Sequence, residues 1–178
     1  MPERYDYRNC QSLFGYAESA HRRSGGICQL CGCGAGDDVD FDLWRQLTVE
    51  HLIGESQNGY LKDIKRAVAE RFPALATDDA AELARRIDEA NTVTACSFCN
   101  STTSRDTHTR TMGDLIVNCP GEPSQVLQAV AAELQSILDV KRDSVKWKLE
   151  SVRRAFEERV EPELRKTRNG EARSEDSS

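Results

Sequence analysis

The sequence predicts a mainly helical α+β protein with a small strand-bearing core stapled by a four-cysteine metal site. Three observations lead there. Two Cys-x-x-Cys pairs, Cys28/Cys31 and Cys96/Cys99, together provide a complete tetrahedral thiolate set. A short stretch of strand-like alternation, Leu47–Gly54, lies between them. Most of the remaining periodic sequence repeats at three and four residues, the helical interval.

Composition narrows the class. The chain has 178 residues, 38% of them hydrophobic, 30% charged and only 6% aromatic, which suits one modest core in need of extra stapling. Seven cysteines beside a polar N-terminal segment without an apolar signal argue against a disulfide framework and point to the cytoplasm. No apolar run approaches a membrane span. A net charge of −6 does not advertise a nucleic-acid binder, but such binding needs only a local basic face.

In chain order, Asn9–Arg23 carries Leu13, Tyr16, Ala17 and Ala20 at helical spacing and stops at Ser24-Gly25-Gly26. His21 reads as a solvated residue of its last turn. Cys28-Gln-Leu-Cys31-Gly32 is a zinc-knuckle turn, the glycine freeing the backbone to aim amides at sulfur. Cys33 is a spare thiol, and Cys10 and Cys119 lack partners at ligand spacing. Asp37, Asp38, Asp40 and Asp42 alternate with Val39, Phe41 and Leu43 as an acidic strand edge or loop; their spacing is wrong for a calcium loop. Leu47–Gly54 reads as a strand, on which the neighbours Glu50 and His51 point to opposite faces unless the strand end bends.

Two helices follow as an insertion at 58–90. Tyr60–Arg71 places Leu61, Ile64, Val68 and Phe72 on one stripe. Thr77–Ala90 has Thr77 as its N-cap and Leu83 and Ile87 as core contacts. A helix is expected just after Cys99. Asn118–Pro123 is a strong breaker and divides a first domain, 1–118 with its core at about 22–110, from a helical arm at 123–163. The arm carries an apolar stripe through Val130, Leu134, Leu138, Val145, Leu149, Val152, Phe156 and Val160, with Lys141 filling its one gap. It is either a single long helix or a hairpin turning at 139–144, and its stripe either packs on its own domain or pairs two copies into a homodimer. Lys141, Arg142, Lys146, Lys148, Arg153 and Arg154 make it the most basic stretch. Residues 164–178 read as a disordered tail.

Cys28-x-x-Cys31, the acidic-His pair Glu50-His51, and Asn91-Thr-Val-Thr-Ala-Cys96-x-x-Cys99-Asn100 occur in an order that resembles the zinc-containing HNH endonucleases of the ββα-metal fold. The resemblance covers roughly Arg22–Arg110, and the nine-residue step from Asn91 to Asn100 matches the register of that family. It implies a strand ending at the His, a loop holding the middle Asn and a helix opening at the last position. It further implies His51 as general base, Glu50 and Asn100 as ligands of one magnesium or manganese ion, and Asn91 as the residue that pins the loop and orients His51. The four cysteines would hold structural zinc. Two departures stand out: the family usually has Asp where Glu50 lies, and a Lys or Arg soon after the final Asn, where Thr103 and Ser104 occur. Arg105 and Arg110 are the nearest phosphate-gripping substitutes. The implied activity is metal-dependent hydrolysis of DNA, double-stranded in the first instance, in a restriction or anti-phage setting. The alternatives are a non-catalytic zinc module binding nucleic acid or protein, and a nuclease directed at RNA. No separate base-reading module is evident.

Overall fold

The computed structural model describes residues 16–103 and 108–175. It divides into two compact units, residues 1–142 and 143–178. The Asn118–Pro123 breaker therefore ends a helix inside the first unit.

The first unit is built on one antiparallel strand pair. Strand β1 (Leu47–His51) and strand β2 (Thr92–Cys96) run from Leu47↔Cys96 to His51↔Thr92. The ladder continues past both ends, through Leu52 N–H to Asn91 O at 2.9 Å and Ser97 N–H to Gln46 O at 3.0 Å. Thr92 to Ala95 are all buried, so β2 is the central strand of the core. β1 stops at His51 rather than running on to Gly54, because the backbone of Ile53 is claimed by the Asn91 side chain.

Helix α1 (Tyr16–Arg23) ends at Gly25 and Gly26, which have φ of 64° and 73°. The part of its predicted span before Tyr16, with Cys10 and Leu13, lies outside the described residues. His21 is buried, not solvated: its Nδ1 meets Thr94 Oγ1 at 3.0 Å and its ring stands edge-on to Trp44. Burial lowers its pKa. The acidic stretch forms no strand. It bends and then makes a short helix α2 (Phe41–Trp44), with Asp40 as N-cap accepting from Asp42 N–H at 2.7 Å.

The insertion folds as a 3₁₀ turn (Glu55–Gln57), helix α3 (Leu61–Arg71) and helix α4 (Thr77–Asn91). Ile64 and Val68 of α3 and Leu83, Ala84 and Ile87 of α4 are buried at their packing seam, while Lys62, Lys65 and Arg66 stay exposed. Thr77 is the first helical residue rather than the cap. Ala76 holds the cap position, and Asp78 and Asp79 complement the positive end of the helix. Helix α4 leads straight into β2, so Asn91 is its last residue and does not sit in a loop.

Helix α5 (Ser97–Thr103) starts directly after β2, and helix α6 (Met112–Val117) begins with a Thr111/Asp114 capping box and packs on α3. Helix α7 (Pro123–Ala155) is continuous through 139–144, without the hairpin alternative. Val126, Val130, Leu134, Ile137 and Leu138 are buried on it.

The second unit continues α7 into a π turn (Phe156–Val160) and helix α8 (Glu161–Glu175). Pro162 lacks an N–H and its ring crowds the preceding turn, which accounts for the wider winding just before it. The expectation of disorder at 164–178 gives way to helix as far as Glu175, with Glu161–Arg165 and Glu163–Lys166 pairs one turn apart near its start, and residues 176–178 lie outside the described residues. Val152, Phe156, Val160 and Leu164 are exposed. Among the described residues no helix is long and apolar enough to cross a membrane.

One buried charge in α4 yields a pH prediction. Asp88 is 5% exposed, its Oδ1 has no hydrogen-bond partner among the described residues, and burial raises its pKa to about 6. The folded state then holds its proton more tightly than the unfolded chain, so Asp88 penalises stability above pH 6. The penalty fades as pH falls toward 4. Asp88→Asn is expected to raise the melting temperature at pH 7.5 by removing about 1–3 kcal/mol of strain, with the gain vanishing by about pH 4. Equal melting-temperature differences at the two pH values would contradict this.

Candidate functional site

The four cysteines converge. Cys28 and Cys31 lie in the turn before α2, Cys96 ends β2 and Cys99 sits in the first turn of α5, and their sulfurs all lie within 4.8 Å of one another. Cys31 Sγ and Cys96 Sγ are 3.9 Å apart, close to the spacing of about 3.8 Å that a tetrahedron with 2.3 Å metal–sulfur bonds requires. The knuckle geometry follows from sequence: Gly32 takes φ 76°, its N–H donates to Cys28 O at 2.8 Å, and Cys96 N–H points at Cys28 Sγ at 3.3 Å. The knuckle also lies along β2. Gln29 N–H donates to Thr94 O at 2.8 Å, and Thr94 N–H donates to Gln29 Oε1 at 3.0 Å.

Without a metal these thiols compete for charge. A hydrogen bond from Cys99 pulls Cys28 down to about 4, and the same bond pushes Cys99 far up. A cation among them would replace that competition with four thiolates. Cys33 stands beside the set, its thiol pushed up by burial and by its sulfur neighbours.

A cleft of about 280 Å³ opens at the other end of the strand pair, lined by Glu50, His51, Gln57, Tyr60, Asn100 and Lys141 among others. Glu50 and His51 both line this cleft although adjacent on the chain. The His51 ring packs on Tyr60 with centroids 4.5 Å apart, and burial lowers its pKa, keeping the imidazole neutral at neutral pH. Asn100 is oriented by hydrogen-bond logic. Thr48 Oγ1 gives its single proton to Ala95 O at 2.9 Å, so it accepts from Asn100 Nδ2 at 2.9 Å. Asn100 Oδ1 is thereby left as an oxygen donor on a residue that lines the cleft.

Glu50 is buried and paired: Lys141 Nζ lies 2.7 Å from its Oε1, with both side chains under 10% exposed, while Thr103 Oγ1 lies 3.4 Å from the same oxygen and gives its single proton to Cys99 O at 2.9 Å. Lys141 Nζ also donates to Thr103 O at 3.4 Å. Next to it, Arg142 Nε donates to Gln29 O at 2.7 Å. Two members of the basic stretch are therefore turned into the first unit. Arg110 pairs with Glu133 at 2.9 Å, and Arg105 lies outside the described residues.

Asn91 is fully buried and holds the turn that carries the cleft. Its Oδ1 accepts from Ile53 N–H at 2.9 Å, and its Nδ2 donates to Ile53 O at 3.0 Å and Gly59 O at 2.8 Å. At Gly59 a Cβ would fall 1.7 Å from Ile53 O, so only glycine fits there. Asn91→Ala would strand three buried backbone groups and is expected to cost about 3 kcal/mol or more. Urea unfolding would read this as a lower midpoint at unchanged slope, and an unshifted midpoint would contradict it.

Lys141, Gln57, Tyr60 and Thr48 were not assigned to this site from sequence. The one signal was the polar gap that Lys141 makes in an apolar stripe. No protein-family model, curated protein or solved structure matches this chain.

Proposed function

We propose that this protein is a metal-dependent endonuclease that hydrolyses phosphodiester bonds in DNA, with zinc in the four-cysteine site and the chemistry in the cleft at Glu50–His51. The observation that carries the reading is that His51, Glu50 and Asn100 line one cleft at the end of a strand pair whose other end bears four clustered cysteines. The four sulfurs leave no open position, so that site is structural. The cleft offers hard oxygen donors, Glu50 and Asn100, the set that suits magnesium or manganese.

A divalent cation held there would stabilise the charge that builds on the phosphate and on the departing 3′-oxygen. The chain's own residues do the rest. His51, neutral and seated on Tyr60, takes a proton from water as the water oxygen bonds to phosphorus and the bond to the 3′-oxygen breaks. Glu50 and Asn100 would hold that cation through their oxygens. Asn91 braces Ile53 and Gly59, and so holds the turn on which His51 and Tyr60 face each other.

The pairing of Glu50 with Lys141 favours a second reading. A cleft whose carboxylate is already neutralised would also suit a non-catalytic zinc module that binds nucleic acid or protein. One assay separates the readings: zinc-loaded protein is incubated with supercoiled plasmid, linear duplex, single-stranded DNA and RNA, with magnesium or manganese or neither. The nuclease reading expects metal-dependent cutting of plasmid and duplex. Cutting of RNA alone would move the substrate class, and no cutting by folded, zinc-loaded protein would leave the binding module.

A further inference from the structure

We propose that Lys141 is a charge-setting residue of the cleft, neutralising Glu50 in the free protein so that a divalent cation is bound firmly only together with a phosphodiester. The inference rests on the nuclease reading and concerns how its site is regulated. The Lys141–Glu50 pair, 2.7 Å long and shut away from solvent, is the most buried ion pair among the described residues. Glu50 and Lys141 sum to zero, and Asn100 adds no charge. A doubly charged cation approaching Glu50 meets a fixed positive charge on the same carboxylate, at short range and where water screens little. The phosphate of a bound nucleic acid supplies the missing negative charge. Lys141 is also held in place: Thr103 O receives its Nζ, and its neighbour Arg142 is anchored on Gln29 O.

The pair explains why a lysine interrupts the stripe of α7. A Lys in a buried row is costly unless it has a partner, and Glu50 is that partner. It also gives the cleft a fixed cation, although Thr103 and Ser104 stand where the resemblance leads one to expect a basic residue.

The test measures manganese binding by electron paramagnetic resonance on zinc-loaded protein. His51→Ala alone is compared with His51→Ala combined with Lys141→Met or with Lys141→Gln, the shared substitution keeping the DNA whole, with and without a short duplex. Lys141→Gln keeps a hydrogen-bond donor toward Glu50 and serves if the Met variant fails to fold, which circular dichroism reports. In free protein, removing the lysine charge is expected to tighten manganese binding by about tenfold or more. Adding duplex is expected to tighten the protein with Lys141 far more than either variant. Unchanged or weaker manganese affinity in the folded variants, from a chain whose unmutated form cuts DNA, overturns this proposal alone. Manganese bound by none of the proteins, with or without duplex, from a chain that cuts no nucleic acid, overturns the nuclease reading and this proposal with it.

Discussion

Removing the zinc with a strong chelator is expected to unfold the first unit rather than merely silence it. The four cysteines come from the knuckle before α2, the end of β2 and the first turn of α5, so one ion bound by them would tie together segments that flank β1 and the whole helical insertion. The apolar core alone is modest, with 6% aromatic residues in the chain. A structural zinc contributes about 10–16 kcal/mol in small domains, comparable to the entire stability of a typical fold. Cys31 and Cys96 are partly exposed, which gives the chelator a path. Cys99→Ser is expected to act in the same direction, since Cys99 is fully buried among the other sulfurs. Elemental analysis should find one zinc per chain, and circular dichroism should show loss of helix as zinc leaves. Retained structure after verified zinc loss would contradict this account of the four sulfurs.

His51→Ala is expected to lower cleavage by about 10²–10⁴-fold, the usual contribution of a positioned general base. Fold and zinc content should survive. His51 is the last residue of β1, its ring rests on Tyr60, and it lies at the opposite end of the strand pair from the sulfurs. His21 is the internal comparison. It is buried against Thr94, away from the cleft, so His21→Ala should cost stability and leave the turnover of folded protein nearly unchanged. Cleavage by purified, zinc-loaded His51→Ala at the wild-type rate would remove His51 from the mechanism.

The parts of the site legible in the sequence were those encoded locally. Two cysteines with two residues between them announce a ligand pair, and the Gly32 that follows them announces the turn. The register of Asn91, Cys96, Cys99 and Asn100 is likewise local, because a strand runs directly into a helix. What could not be read from sequence depends on distant partners. Glu50 and Lys141 are 91 positions apart, so a buried pair looked like a strand-end carboxylate and a polar gap in a helix stripe. His21 looked solvated because Thr94, its partner, lies 73 positions on. The opposite facing expected of Glu50 and His51 along an extended strand did not announce that both line one cleft, whose other walls come from Gln57, Tyr60, Asn100 and Lys141. Residues 164–175 looked too polar to order, but Arg165 and Lys166 at their start pair one turn back with Glu161 and Glu163.

In the proposed reaction, water activated at His51 attacks phosphorus and displaces the 3′-oxygen. Cleavage of a defined duplex in ¹⁸O-labelled water, with magnesium or manganese present, tests it most directly. Mass spectrometry of the fragments should find one ¹⁸O in a new 5′-phosphate and an unlabelled 3′-hydroxyl. A 3′-phosphate, a cyclic phosphate, or no cleavage by folded, zinc-loaded protein would contradict it.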